Sequence, residues 1–374
     1  MLVFKNRKER RDWIRKMNPG LFREWDKHRE QSSLMQEFTP AALMTEMLEK
    51  IPSFENKEIL VLGNVEFYFY LKNLENQGKI SYKSLTLLTD MKELENKPNV
   101  IYIPFEDMNK VSISKKFDIV IGNPPYQLNT SDSSNTTALY DKFYYIAKEV
   151  SKQYISFVIP YEWTKRNNSK FKKEMFDSGV LSKLNVHTRQ EFKGIQKVTC
   201  DFLVDLKKTS KEVEVSTNKG LDNTLTLSSE SLLLNNLTLL EKPSTGLDLL
   251  WKRGTTSISE LSEKGKYPVV YSLGGKKPIK ILYSDTETTG LGKWKVAVSN
   301  LGGIGNIGAV KILPPEYAHN YSIVSFAVGS KSEAVDLQKY LTSENIRELV
   351  QNAKGSTPNS KSIFSYIEYD RTTS

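Results

Sequence analysis

The stretch FDIVIGNPPYQ, residues 117–127, runs a strand-like segment straight into two consecutive prolines. Phe117 to Gly122 has the apolar, β-branched character of a buried strand. Proline cannot donate to a sheet ladder, and it forces the residue before it into an extended conformation. The strand must therefore stop at Gly122 or Asn123. Beyond it comes a stiff, kinked finger carrying one amide side chain, main-chain carbonyls and one aromatic ring. Stiffness of that kind suits a site better than a core.

On either side the chain alternates between two textures. FTPAALMTEMLEKI (38–51) has helical periodicity, with Pro40 in its first turn. EFYFYLKNLENQG (66–78), LYDKFYYIAKEVS (139–151) and SKFKKEMFDSG (169–179) also read as helices. EILVLG (58–63), SLTLLTD (84–90), NVIYIPF (99–105), YISFVIP (154–160), KLNVHT (183–188) and VTCDFLVDL (198–206) read as strands. Short apolar strands alternating with helices predict an α/β domain over 38–208, with a mostly parallel sheet covered on both faces. Residues 209–245, rich in Ser, Thr, Asn and Lys, read as a linker or boundary region. From 246 to 374 the texture becomes Gly-rich turns and short β-like runs, then one late helix over SEAVDLQKYLTSENIRELVQNAK, which predicts a second, α+β domain.

A chain of 374 residues has room for two such domains. No apolar run approaches the ~18 residues of a membrane helix, and the first twenty residues lack the apolar centre of a secretory signal. A cytoplasmic protein with no membrane partner is expected. The single cysteine, Cys200, excludes a disulfide framework and a cysteine-based zinc site and reads as a core residue. His28, His187 and His319 do not pair at metal-ligand spacing, so no metal is expected. Gly303-Ile304-Gly305-Asn306-Ile307-Gly308 matches the GxGxxG fingerprint but has no βαβ unit around it, and reads as a loop.

The net charge of +9 points to a polyanionic partner. Residues 1–36 hold ten Lys or Arg against five Asp or Glu, interleaved with Trp13, Phe22 and Trp25. Two readings of 1–37 stand: a basic arm touching phosphates, or an amphipathic helix packing its aromatics on the body.

The finger's residue types fit one chemical task. An exocyclic amine on a nucleobase is a poor nucleophile because its lone pair is delocalised into the ring. A site that accepts hydrogen bonds from the amino hydrogens favours a more tetrahedral, more nucleophilic nitrogen. Asn123 offers a side-chain carbonyl, Pro124 a main-chain carbonyl held rigid by Pro125, and Tyr126 a flat face for stacking. A strand end in a parallel sheet is also where α/β proteins bind ligands.

At these residues the sequence resembles the amino-methyltransferases that use S-adenosylmethionine. The likeness is above all to N6-adenine DNA methyltransferases of the gamma arrangement and to the methylase portion of type IIG restriction-modification enzymes. It covers 38–208 and follows the family's motif order. It implies a Rossmann-like catalytic domain, S-adenosylmethionine as cofactor, double-stranded DNA as partner, base flipping, and a target-recognition domain over 246–374. By resemblance, Phe38, Thr39 and Pro40 form the amino-terminal cofactor-side motif, and Gly63, Asn64 and Glu66 the first cofactor turn. Asp90 then meets the ribose hydroxyls, and Phe105, Glu106 and Asp107 the cofactor's adenine. Asn123, Pro124, Pro125 and Tyr126 are the catalytic tetrad, with Asn123 also beside the cofactor. Phe192 is the candidate to pack against the flipped base, which stacks on Tyr126. Lys276, Lys277, Lys354 and Lys361, in basic and Gly-rich loops, are the candidates for DNA phosphates.

Competing readings exist for some of these: core packing for Phe192, helix caps for Asp90 and Asp107. One departure matters. The family's first turn usually reads Asp-Pro-x-x-Gly-x-Gly-x-Phe, whereas here Leu62-Gly63-Asn64-Val65-Glu66-Phe67 keeps one glycine. Either the turn is rebuilt, with Glu66 near the methionine amine, or cofactor binding is weak or lost. Asn rather than Ser at position 123 favours adenine over cytosine N4. Methylation of another planar amine, and a non-catalytic DNA-binding module, remain as alternatives. No nuclease domain is expected in the about 37 residues before Phe38, which leaves a separate cognate nuclease as one partner and a lone or phage-encoded methylase as other contexts.

Overall fold

The computed structural model describes residues 39–104, 107, 113–126, 139–166, 169–187, 198–218, 220–243, 247, 249–250, 258–275, 277–300, 307–353 and 361–369. In it the opening stretch becomes strand β4 (Phe117–Gly122), with Ile119, Val120 and Ile121 fully buried. The other expected strands form close to their sequence limits: β1 (Glu58–Leu62), β2 (Ser84–Thr89), β3 (Val100–Tyr102), β5 (Ser151–Pro160), β6 (Leu181–His187) and β7 (Thr199–Asp205). The expected helices are α1 (Ala41–Glu49), α2 (Val65–Asn76), α3 (Tyr140–Val150) and α4 (Lys170–Asp177). Pro40 stands just before α1 rather than inside it, and its carbonyl accepts the first helical bond from Met44.

Two further strands, β8 (Glu212–Thr217) and β9 (Asp222–Thr226), complete a nine-stranded sheet of order β3-β2-β1-β4-β5-β7-β6-β8-β9. These two stand within 209–245, expected as a linker or boundary region, and the division between the two compact units, after Ser228, falls in the same stretch. EVEVST alternates exposed and buried positions, which is how a half-solvated strand near a sheet edge looks, and its polar half disguised it. β1, β2, β3, β4 and β5 are mutually parallel, while β7 runs antiparallel between β5 and β6. The apolar stripe of α1 (Leu43, Met44, Met47, Leu48) shares a core with Ile59 and Val61 of β1, Ile119 and Ile121 of β4, Val158 of β5 and Leu203 of β7.

At the end of β4 the sheet leaves no room for a side chain. A Cβ on Gly122 would lie 2.5 Å from the main-chain oxygen of Leu62 on the neighbouring β1. Gly122→Ala is expected to force these strands apart, costing about 1–3 kcal/mol as overpacking does. A lowered unfolding midpoint in urea, with β1 and β4 amides losing hydrogen-exchange protection first, is the check.

The chain divides into two compact units. The first holds the nine-stranded sheet; the second takes Glu162–Ser169 and the chain from Ser229 onward. In the second unit, β10 (Leu232–Leu233) pairs with β11 (Leu239–Leu240). β12 (Tyr267–Ser272), β13 (Lys280–Ser284), β14 (Trp294–Ser299), β15 (Val310–Leu313), β16 (Ala318–His319) and β17 (Ile323–Val328) form sheets of order β13-β12-β16 and β15-β14-β17. The late helix expected as one piece is two, α5 (Lys331–Leu341) and α6 (Glu344–Ala353), followed by α7 (Lys361–Phe364). The break falls at Thr342-Ser343, where the Thr342 hydroxyl turns back onto the Gln338 carbonyl.

His319 of β16 is buried there. Its Nδ1 lies 3.0 Å from the Asn320 carbonyl, which only accepts, so Nδ1 carries the proton. The Ser325 hydroxyl, 2.7 Å away, then donates to Nε2. Burial, with the nearby Lys295 ammonium, pushes the imidazole from 6.5 down to about 4 despite the Asn320 bond. As pH falls from 6.5 to 4 the unfolded chain binds a proton that the folded state refuses, so stability declines across that window. The expected loss is about 3 kcal/mol, read as a falling urea midpoint for the second unit that flattens in His319→Gln.

Candidate active site

Strand order and chain direction locate the crevice. From β1 the chain proceeds to β2 on one side, while β4 is hydrogen-bonded to the other side of β1. The ends of β1 and β4 therefore flank the switch point at which ligands of open α/β sheets bind. Gly63 leaves β1 and Asn123 leaves β4 at this crevice.

Gly63 has φ +73°, a left-handed conformation that favours glycine, and its N–H donates to the Leu88 carbonyl of β2 at 2.8 Å. Asn64 follows as the N-cap of α2: its Oδ1 accepts the Phe67 N–H at 3.0 Å. That bond fixes the amide, so Nδ2 faces the other way and donates to Thr39 Oγ1 at 3.2 Å. Glu66, in the first turn of α2, accepts the Thr39 N–H on Oε2 at 2.9 Å. Asn123 Nδ2 donates to the same Thr39 hydroxyl oxygen at 3.1 Å. Thr39 is thus a hub: its main-chain N–H goes to Glu66 and its hydroxyl oxygen takes hydrogens from two asparagines. Thr39, Asn64, Glu66 and Asn123 are all buried.

This geometry shows how a first turn with one glycine is built. The space between β1 and α2 is organised by a side-chain cap and a carboxylate on the preceding helix's entry, rather than by a run of glycines. With Nδ2 on Thr39, the Asn123 carbonyl is turned away from that hydroxyl. Pro124, Pro125 and Tyr126 are buried as well, and the Tyr126 carbonyl accepts the Leu139 N–H at 3.2 Å, anchoring the finger to the entry of α3.

The acids lie near strand ends as expected. Asp90 directly follows β2 and is half-buried; the cap position of the next turn belongs to Met91, whose N–H is taken by Thr89 Oγ1 at 3.2 Å. Asp107 is half-buried and its N–H donates to the Pro104 carbonyl at 3.0 Å. Lys277 is exposed in a turn of the second unit, its N–H on the Gly274 carbonyl. Phe38, Phe105, Glu106, Phe192, Lys276 and Lys354 lie outside the described residues, as do the 1–37 segment and Gly303, Gly305 and their neighbours up to residue 306. So does the side chain of Lys361, the first residue of α7. Among the described residues no group of His, Cys, Asp and Glu is placed to hold a metal ion, and no helix is long and apolar enough to cross a membrane.

Comparison with known proteins agrees with this architecture. Residues 37–192 match the Eco57I restriction-modification methylase family. An uncharacterized adenine-specific methylase of Mycoplasma pneumoniae is 39% identical over 51 residues, 13% of this chain and 12% of that protein. Among solved structures, the type IIL restriction-modification enzyme MmeI in complex with DNA superposes with a TM-score of 0.53 at 12% identity, covering 96% of this chain and 68% of that one. The type I restriction-modification methyltransferase subunit from Streptococcus thermophilus gives 0.41 at 12% identity, over 57% of this chain, which spans 54% of that subunit. By motif order and by sequence match, residues 37–192 are similar to the Eco57I restriction-modification methylases.

Proposed function

We propose that the protein transfers a methyl group from S-adenosylmethionine to N6 of an adenine flipped out of duplex DNA. The observation that carries this reading is the amide of Asn123, locked by Thr39 at the end of β4 beside the Gly63 turn. The cofactor supplies an electrophilic methyl on a sulfonium, and Thr39, Gly63, Asn64, Glu66, Asp90 and Asp107 are the described residues that would hold it. Burial and internal hydrogen bonding of the Asn64 cap fit a cofactor turn that is rebuilt rather than lost.

Asn123 and Pro124 would accept the two amino hydrogens of the target and concentrate electron density on N6. Tyr126 would supply the stacking face for the extruded base. The bound cofactor would supply the methyl group, and the surplus proton would leave N6 for solvent afterwards, so no strong base is needed beforehand. Target recognition is assigned to 246–374, where Lys277 is one exposed cation for a phosphate. A separate nuclease acting at the same DNA site is one partner this role admits, beside a lone or phage-encoded methylase.

The test is methyl transfer from labelled S-adenosylmethionine to unmethylated DNA, followed by hydrolysis to identify the labelled base. Label in N6-methyladenine is expected. Label in cytosine would keep the amine chemistry and overturn the base. DNA binding with neither label nor cofactor binding would favour a non-catalytic module, the reading that the single-glycine turn supports.

A further inference from the structure

The ends of β6 and β7 carry polar side chains on strands that are otherwise apolar. Asp201 is fully buried, and its Oδ2 pairs with the Nζ of Lys50, the residue that ends α1. Its Oδ1 accepts from Asn185 Nδ2 at 3.1 Å and lies 2.8 Å from His187 Nε2. Because a carboxylate only accepts, His187 Nε2 carries the proton, and in the neutral ring Nδ1 takes the Thr199 hydroxyl at 2.9 Å. Ser216 donates to Asn185 Oδ1 at 3.2 Å, which fixes that amide as well. Burial alone would raise the Asp201 carboxyl, but the Lys50 ammonium and then the His187 ring overcome it and hold it below its ordinary value.

Register places this cluster beside the site. Gly122 pairs with Phe157, Val158 with Asp201, and Asp201 with Asn185. Asn123, one residue past Gly122, therefore stands level with Asp201, two strands away, on the same face by strand alternation. Helix α1 spans the two points. Just before it, Thr39 holds the Asn123 amide; just after it, Lys50 holds Asp201. His187 and Thr199 are the last and first residues of β6 and β7, so the bond between them joins these two strand ends.

We propose that Lys50, Asp201 and His187 act together as a positioning unit for the target base, tying the helix that sets Asn123 to the strand ends on the base side of the site. None of the three touches the reacting atoms, so each acts through its neighbours. The proposal rests on the DNA-methylation reading. A unit of this kind matters most when the base must be pulled from a stack, and least when it is already free.

The experiment compares duplexes carrying the sequence that the wild-type protein methylates, with the target adenine either paired or placed opposite an abasic site. His187→Gln and Lys50→Met are each expected to lower kcat/KM about tenfold on the paired duplex and no more than about threefold on the unpaired one. Affinity for S-adenosylmethionine should stay unchanged, and Lys50→Arg should restore the wild-type ratio. Rates are taken where circular dichroism shows each variant folded; should His187→Gln not fold, the two Lys50 variants, at the partly exposed edge of the cluster, decide. Equal losses on both duplexes, a matching loss of cofactor affinity, or no loss would overturn the proposal. A wild-type protein that labels no DNA would sink the methylation reading and this inference with it, whereas active wild type with unsplit variants sinks the inference alone.

Discussion

Asn123→Ala is expected to lower the rate of methyl transfer about 10²–10³-fold, the range seen when one preorganised hydrogen-bonding group is removed from a transition state. The reason is local. The amide sits at the stiff exit of β4, buried, with Nδ2 committed to Thr39, so its carbonyl is in place before substrate arrives. Truncation removes that acceptor and leaves the target nitrogen conjugated into its ring. The loss should fall on kcat, since the acceptor gains most as N6 becomes tetrahedral. Single-turnover kinetics on saturated DNA, with cofactor affinity measured separately, separate the two. An Asn123→Ala protein with unchanged turnover would remove Asn123 from the chemistry.

Thr39→Val comes second. Valine keeps the shape of threonine and deletes the oxygen that takes hydrogens from Asn64 and Asn123. Two buried amide donors then lack their partner, at about 1–3 kcal/mol each. Part of this appears as lost stability. The remainder appears as turnover, because the Asn123 amide loses one of the bonds that position it, and a fall of about tenfold or more in kcat is expected. Thr39→Ser keeps the oxygen and should keep most of the rate. If valine and serine variants turn over alike, the hydroxyl does not set the amide.

The strands of the sheet's central part were legible because burial on both faces writes them as short apolar runs, and FDIVIG is the clearest of them. The end of that strand was legible because Pro-Pro after a strand permits few structures. The β8–β9 hairpin was hidden by half-polar alternation, and the split between α5 and α6 by a Thr-Ser pair inside a helical pattern. What spacing could not show was side-chain direction. Thr39, Asn64, Glu66 and Asn123 were each picked out, but nothing in their order reveals that one hydroxyl joins two of the amides. The Lys50–Asp201–His187 cluster was missed altogether, although Asn185 and His187, and Thr199 and Asp201, recur at two-residue spacing within apolar strands, which is the signal to look for.

The Thr39 hub also bears on how the molecule would acquire the proposed activity. Thr39 is separated from Asn64 by 25 residues, from Glu66 by 27 and from Asn123 by 84. Strand pairs such as β2 with β3 and β8 with β9 close shorter loops and are the cheaper contacts to form early. A chain whose sheet has assembled but whose α1 has yet to dock would possess ordered strands, a proline finger and an amide free to turn. Competence then arrives with the docking of α1 and not with the sheet, so refolding followed by strand content should run ahead of refolding followed by turnover.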